Sequence, residues 1–336
     1  MAETGWEAID EFAVEREYSG AVAAARGGRV LFERAYGLAD RSNRIANALD
    51  TRFGIASGTK GFTAVAAGRL IDAGALSLAT PLADCLGCEA PGLDRRVTID
   101  HLLTHTSGVY DYFDESGDGP EEFAKVPWYE LRRLRDYVPL LFDGPPLFEP
   151  GARFQYSNGG YVLLGLAVEH ASGRAFQSFV EDEVLAPCGM ADSGFFWADR
   201  LPERTALGYV EEEDGWRTNV FRLPIRGGAD GGAYATAADL GRFWRALHGG
   251  ELISADLLES FLTPVGRAEG GARYGRGFWL RPEGAAGRTV FLEGRDAGVS
   301  FKSWCRPGDA TVATLISNTA GGVWPLARAV ERLLWP

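Results

Sequence analysis

Strand-like segments lie mainly near the two ends of this chain of 336 residues, and this placement constrains its fold more than any other feature. Near the start, two such segments are joined by Gly27-Gly28, a dipeptide typical of a tight hairpin. Because strands need partners, both ends are expected to form one sheet. The predicted strands cover residues 21–26, 29–36, 276–281, 288–293, 299–305 and 310–317.

Apolar residues at helical spacing dominate the middle of the chain and also occur at both termini. The pattern predicts an α+β fold in which an antiparallel sheet from both chain ends is flanked by helices and interrupted by a mainly helical region. We expect residues 1–55 and 270–336 to form the sheet domain and residues 56–269 the helical region, with a cleft between them. The predicted helices cover residues 5–17, 61–73, 100–103, 160–171, 175–184, 237–248 and 323–334.

The overall charge argues against several classes of partner. A formal net charge of -12 disfavours nucleic-acid binding, which needs a concentrated basic surface. There is no run of about 18 apolar residues that would span a membrane, and the acidic first twenty residues do not resemble a secretory signal. We therefore expect a cytoplasmic protein with a small-molecule substrate; the sequence does not indicate an oligomeric state.

Lysine is rare here, since three of the 34 basic residues are lysines: Lys60, Lys125 and Lys302. A buried lysine amine can lose its proton, whereas an arginine guanidinium cannot. In Ser57-Gly58-Thr59-Lys60, the serine and the lysine share a face at the start of a predicted helix, where backbone N–H groups favour a developing negative charge. The pattern is typical of a nucleophile beside a base. An N-cap serine followed by a solvent-facing lysine is the alternative.

A second group of polar residues precedes another predicted helix. Tyr156-Ser157-Asn158 places a phenol and an amide two positions apart on a loop. A phenol suits proton transfer, and an amide suits the orientation of a carbonyl or an amine. A helix cap with Tyr156 in a packing role is the alternative.

Together with the segment from His101 to Gly108, these motifs resemble class C β-lactamases, D-alanyl-D-alanine carboxypeptidases and related esterases. The resemblance extends over residues 20–335 and includes Gly231-Gly232-Ala233-Tyr234-Ala235-Thr236. It implies a β-lactamase/transpeptidase-like fold with an acylated Ser57, and Lys60 and Tyr156 sharing the general-base and general-acid work. Asn158 would orient the substrate amide or the lysine. No metal or organic cofactor is expected.

The third motif of that family departs from its usual form here. Where the family has a cation on the strand beside the nucleophile, this chain has Leu292, in Leu292-Glu293-Gly294-Arg295. Two substrate-binding roles remain open: Arg295 replaces the missing charge, or Glu293 attracts a substrate amine. The N–H group of Arg295 is expected to complete an oxyanion hole with that of Ser57. The missing cation weakens the β-lactamase interpretation in particular.

Other chemically suggestive residues favour structural roles. Cys85 and Cys88 lack two further ligands for zinc, and His101 and His105 lack a third ligand, so we expect free thiols and structural histidines. The acidic, aromatic segment from residue 110 to 137 either overhangs the cleft or is a surface insertion.

The preferred interpretation is a serine hydrolase acting on a small ester, amide or D-amino-acid peptide. Esterase activity is favoured first and peptidase activity second, and weak β-lactamase activity is a further option. An acyltransferase that uses the same acyl-enzyme is one alternative. A catalytically silent protein that keeps the fold is the other.

Overall fold

A computed structural model describes residues 3–113, 126–267, 271–281 and 287–335. Within them, eight strands form an antiparallel sheet in the order β2-β1-β14-β13-β12-β11-β10-β9, and three short strand pairs, β3-β4, β5-β8 and β6-β7, lie outside it. The N-terminal hairpin therefore pairs directly with the last strand of the chain. The strands are β1 Gly20–Arg26, β2 Arg29–Tyr36, β3 Leu38–Asp40, β4 Ile45–Ala46, β5 Phe53–Gly54, β6 Tyr209–Glu212, β7 Gly215–Thr218, β8 Tyr234–Ala235, β9 Gly266–Arg267, β10 Arg273–Tyr274, β11 Trp279–Leu280, β12 Val290–Asp296, β13 Val299–Arg306 and β14 Thr311–Ser317.

Helices occupy both faces of this sheet and most of the inserted region. A 3₁₀ turn at Ala56–Gly58 leads into α2, and a π-helical turn at Glu181–Leu185 extends α7. The helices are α1 Glu3–Glu15, α2 Thr59–Asp72, α3 Leu82–Cys85, α4 Ile99–Leu103, α5 Val138–Leu141, α6 Asn158–Ser172, α7 Phe176–Val180, α8 Ala237–His248, α9 Ala255–Phe261 and α10 Val323–Leu334.

Consecutive residues of β13 show how the sheet separates two cores. The hydroxyl of Ser303 accepts a hydrogen bond from the indole N–H of Trp244 on α8, whereas the indole of Trp304 donates to Glu331 on α10. Successive side chains of a strand point to opposite faces. The terminal helices α1 and α10 therefore cover one face, and the inserted helical region covers the other.

Helix α2 is the central element of the inserted region. Its residues from Thr59 to Gly68 are all buried, so the helix is enclosed on every side rather than amphipathic. Its entrance lies close to the sheet: a Cβ added at Gly58 would be 2.3 Å from the ring of Phe301 on β13. The nucleophile motif is consequently held between the sheet and the helical core.

The α+β fold class predicted from the sequence is confirmed, with some local differences. The strand predicted over residues 276–281 is shorter than expected and covers only Trp279–Leu280, because Gly277, with a φ of +88°, lies in the turn of a β10-β11 hairpin. The hairpin of β6 and β7 was not predicted. Strand β9 precedes the expected boundary at residue 270, and the division into two domains stays a prediction.

Candidate active site

Ser57 lies at the entrance to α2 and faces a cavity of about 620 Å³. The preceding residue, Ala56, adopts a left-handed backbone conformation with a φ of +46°. This conformation costs a non-glycine residue about 1–2 kcal/mol, so the surrounding contacts must hold it. One of them is a 2.7 Å hydrogen bond from the hydroxyl of Thr59 to the carbonyl of Ala56. The turn thereby presents the Ser57 hydroxyl to the cavity.

Three acceptors surround the amine of Lys60, whose side chain is 1% exposed. Its Nζ atom lies 3.0 Å from Ser57 Oγ, 2.7 Å from Asn158 Oδ1 and 2.5 Å from the carbonyl oxygen of Asp230. The structure thus brings the predicted nucleophile, lysine and amide together. A solvent-facing lysine, the alternative considered for this motif, is wrong.

Tyr156 lies beside the same amine, with Lys60 Nζ 4.8 Å from the centre of its ring. His105 positions the tyrosine through both of its neighbours in the chain. The N–H of Gln155 donates to the carbonyl of His105 over 2.9 Å, and the N–H of Ser157 donates to His105 Nδ1 over 3.1 Å. The imidazole also packs on the tyrosine ring, with centroids 4.4 Å apart.

Because its Nδ1 accepts a hydrogen bond, the imidazole of His105 must be neutral. Burial, reinforced by the charge of Lys60, lowers the pKa of His105 well below its ordinary value. Its backbone is left-handed, with a φ of +56°. This geometry agrees with the prediction of a structural histidine, because His105 supports the loop that carries Tyr156.

Asp111 anchors the start of α6, the helix that begins at Asn158. Its carboxylate accepts hydrogen bonds from the N–H groups of Asn158 and Gly159 at 2.9 and 2.8 Å. Burial raises the pKa of Asp111 to about 6, while these hydrogen bonds and the charge of Lys60 act in the opposite direction. Asp111 therefore orients the amide that contacts the lysine.

Two tyrosines and an aspartate line the cavity beyond Lys60. The hydroxyl of Tyr112 donates to the carboxylate of Asp230 over 2.6 Å. Tyr137 packs edge-on against Tyr112, with ring centroids 5.3 Å apart. Asp230 thus contacts Lys60 through its backbone carbonyl and Tyr112 through its carboxylate.

Strand β12 approaches the nucleophile at Gly294. A Cβ added there would lie 2.5 Å from the carbonyl oxygen of Ile55 and 2.6 Å from the backbone nitrogen of Ser57, so only glycine fits. The neighbouring Arg295 is exposed and also lines the cavity. Its N–H group belongs to the strand that abuts the serine, as the expected oxyanion hole requires.

Glu293 does not join the other site residues, and a contact with a substrate amine is not supported by its position. Its carboxylate pairs with Lys302 over 3.0 Å, and Lys302 also contacts Glu331 of α10. Strand alternation agrees with this placement, because Leu292 and Gly294 face the nucleophile and Glu293, which lies between them, faces the terminal helices. Leu292 points to the nucleophile side and packs near Gly61.

Asp111, Asp230 and the positioning role of His105 were not predicted from the sequence. The acidic, aromatic segment contained a partial signal, since Tyr112, Phe113, Trp128 and Tyr137 all line the cavity. Residues 114–125 of that segment, including Lys125, lie outside the described residues. Asp230 precedes Gly231-Gly232, a motif that entered the sequence analysis only as part of the family resemblance and gave no role for the aspartate.

No group of three or more histidine, cysteine, aspartate or glutamate residues could hold a metal ion within the described ranges. Cys85 and Cys88 are free thiols, and burial raises the pKa of both. His101 Nδ1 accepts from the N–H of Thr98 at the start of α4. Among the helices that the structure describes, each is too short or too polar to cross a membrane.

Comparison with known proteins agrees with this arrangement. A sequence model of the beta-lactamase family matches residues 7–334. The chain is 32% identical over 305 residues to a penicillin-binding protein of Bacillus subtilis (strain 168), covering 85% of this chain and 65% of that protein. It is 39% identical over 209 residues to esterase EstB of Burkholderia gladioli, covering 60% of this chain and 53% of the esterase.

The chain therefore spans less than two thirds of the length of these two relatives. Among solved structures, a penicillin-binding protein from Bacillus halodurans superposes with a TM-score of 0.92 at 43% identity, covering 97% of this chain and 100% of that one. The chain belongs to the beta-lactamase family, a family of serine hydrolases whose members related to this chain include penicillin-binding proteins and an esterase.

Proposed function

We propose that this protein is a serine hydrolase that forms an acyl-enzyme on Ser57 and acts on a small ester, amide or D-amino-acid peptide, with esters preferred. The observation that carries the proposal is the 3.0 Å contact between Ser57 Oγ and Lys60 Nζ at the wall of the cavity. A buried amine next to a hydroxyl is the arrangement that nucleophilic catalysis requires.

In the first step, Ser57 Oγ attacks the substrate carbonyl carbon while Lys60 and Tyr156 take up the hydroxyl proton. We assign this proton to the pair, because two coupled groups titrate as a unit. The developing oxyanion accepts hydrogen bonds from the N–H groups of Ser57 and Arg295. Asn158 holds the amine in place through its 2.7 Å hydrogen bond.

Collapse of the tetrahedral intermediate breaks the bond to the leaving alcohol or amine, which receives the proton held by the Lys60–Tyr156 pair. Water then attacks the acyl-enzyme carbonyl, gives a proton to the same pair and releases the acid. Ser57 recovers its proton at the end. The cycle uses side chains already positioned around the amine.

The preference for esters over penicillins rests on the third motif. Leu292 offers no charge, and Lys302 is paired with Glu293 on the far side of the sheet. A substrate carboxylate therefore lacks a cation at the position where the family has one, and Arg295, the cation of this strand that lines the cavity, is exposed. The difference matters less for an uncharged ester.

The test compares steady-state hydrolysis of p-nitrophenyl acetate, benzylpenicillin and a D-alanyl-D-alanine peptide by the unmutated chain and by Ser57→Ala. We expect the ester to be hydrolysed with the highest kcat/KM and Ser57→Ala to be inactive. Equal ester hydrolysis by both chains would contradict the proposal. Diversion of the acyl group to added methanol would instead indicate an acyltransferase.

A further inference from the structure

Two threonines lie close to Lys60 on α2 and take no part in the chemical steps proposed above. Thr59 and Thr63 are both 0% exposed, on a helix whose other buried residues are mainly apolar. Burying a hydroxyl without a hydrogen bond costs free energy, so native structures nearly always supply a partner. The partners of these two hydroxyls therefore show what the threonines hold in place.

Both hydroxyls bond to a single segment outside the helix, residues 229–233. The hydroxyl of Thr63 donates to the carbonyl of Ala229 over 2.6 Å, whereas the carbonyl of Thr59 in its own helix is 3.3 Å away. A threonine within a helix commonly bonds to the carbonyl four residues earlier, so the shorter contact shows that this hydroxyl serves the segment instead. At the other end of the segment, the hydroxyl of Thr59 accepts from the N–H of Ala233 over 3.0 Å.

This segment carries the carbonyl that contacts the lysine. Asp230 directly follows Ala229, and its carbonyl oxygen lies 2.5 Å from Lys60 Nζ. The segment lies outside the helices and strands, and Gly231-Gly232 adds two residues of high conformational freedom. Because no regular ladder of backbone hydrogen bonds fixes the segment, the direction of the carbonyl depends on contacts such as those from α2.

The direction of that carbonyl matters for proton transfer. A neutral lysine amine has two N–H bonds and one lone pair. When the two N–H bonds of Lys60 donate to the Asp230 carbonyl and to Asn158 Oδ1, the lone pair is left to accept from a third direction. Ser57 Oγ lies 3.0 Å from Nζ and supplies the proton from that direction. Acceptors held at fixed positions therefore aim the lone pair at the hydroxyl.

We propose that Thr59 and Thr63 are positioning residues for the Lys60 amine. They hold the Asp230 carbonyl in the place from which it directs the lone pair of that amine to Ser57. Thr63 fixes the peptide unit that precedes the carbonyl, and Thr59 joins the far end of the segment to the turn that carries the nucleophile. This inference rests on the proposed acyl-enzyme function.

The test replaces the Thr63 hydroxyl by a methyl group of similar size. Stopped-flow measurements with p-nitrophenyl acetate give the acylation rate at saturating ester and the ester concentration for half of that rate. In Thr63→Val, we expect the rate to fall about tenfold or more, because a small misplacement of a reacting group slows a reaction strongly. The half-saturating concentration should change by less than about twofold, since the threonine does not contact the substrate. Thr63→Ser keeps the hydroxyl and should restore most of the rate.

The matched control is Thr314→Val, which removes a buried hydroxyl that bonds to Ser303 over 2.7 Å in the sheet. This variant should keep the acylation rate, and urea denaturation shows which variants are folded. If Thr63→Val does not fold, the smaller Thr63→Ala takes its place in the comparison with Thr63→Ser.

An unchanged acylation rate in a folded variant without the hydroxyl, or a loss of rate that Thr63→Ser does not restore, overturns the positioning role. In either case, acylation of the unmutated chain leaves the proposed function in place. Absence of acylation in the unmutated chain overturns the proposed function as well.

Discussion

Replacement of Lys60 by arginine separates the charge of this residue from its ability to lose a proton. Lys60→Arg keeps the positive charge but places a group that stays protonated next to Ser57. Removing a positioned general base lowers a rate by about 10²–10⁴-fold, which corresponds to about 3–5 kcal/mol of activation free energy. We expect kcat/KM for p-nitrophenyl acetate to fall by that factor.

The geometry around Lys60 adds a second effect of this substitution, a loss of stability. Three acceptors converge on one nitrogen at 3.0, 2.7 and 2.5 Å in a site that is 1% exposed, and a planar guanidinium cannot reproduce this arrangement. Overpacking of a buried site costs about 1–3 kcal/mol of unfolding free energy, so urea denaturation must accompany the kinetics.

The matched control is Lys302→Arg, which makes the same substitution at a lysine paired with Glu293 and Glu331 away from the cavity. We expect this variant to keep near-normal kcat/KM. If folded Lys60→Arg also hydrolyses the ester at a near-normal rate, the assignment of the lysine as a base is refuted.

Three further predictions follow from the neighbouring contacts. His105→Phe removes the acceptor for the Ser157 N–H and should lower the free energy of unfolding by about 1–3 kcal/mol. Because the loop that carries Tyr156 is then less well held, kcat should fall more than KM changes. An unchanged free energy of unfolding together with an unchanged kcat would contradict the positioning role. The folded chain binds the Asp111 proton more tightly than the unfolded chain, because burial raises its pKa to about 6. Its contribution to stability should therefore fall as the pH rises from about 4 to 6. Urea titrations across this range should show a smaller loss of stability in Asp111→Asn than in the unmutated chain, and an identical pH dependence of the two chains would argue against this residue. Gly294→Ala inserts a Cβ 2.6 Å from the backbone nitrogen of Ser57 and should slow acylation about a hundredfold in stopped-flow measurements, whereas normal acylation would contradict the close approach.

Local patterns in the sequence were sufficient for six of the eight described strands of the sheet, most helices and the contact between Ser57 and Lys60. The two residues are three positions apart at a helix start, so helix geometry alone brings them together. The hairpin at Gly277 was missed because β10 has only two residues, Arg273 and Tyr274, which is too short for an alternating pattern to show.

Contacts between distant segments could not be derived in this way. Asp111 caps α6 from 47 residues away, and the carbonyl of Asp230 reaches Lys60 across 170 residues. The direction of Glu293 depends on the register that places it opposite Lys302. Alternation indicates that Glu293 and Gly294 face opposite sides of the sheet. Which of the two faces the nucleophile depends on how β12 packs against Ser57, a contact that the sequence does not show.

The central claim is that Ser57 is an activated nucleophile, and intact-protein mass spectrometry after incubation with a fluorophosphonate tests it most directly. The account predicts one adduct per chain, mapped by peptide digestion to Ser57 and absent in Ser57→Ala. An unmodified chain under conditions in which it remains folded, or an equal adduct on Ser57→Ala, would contradict it.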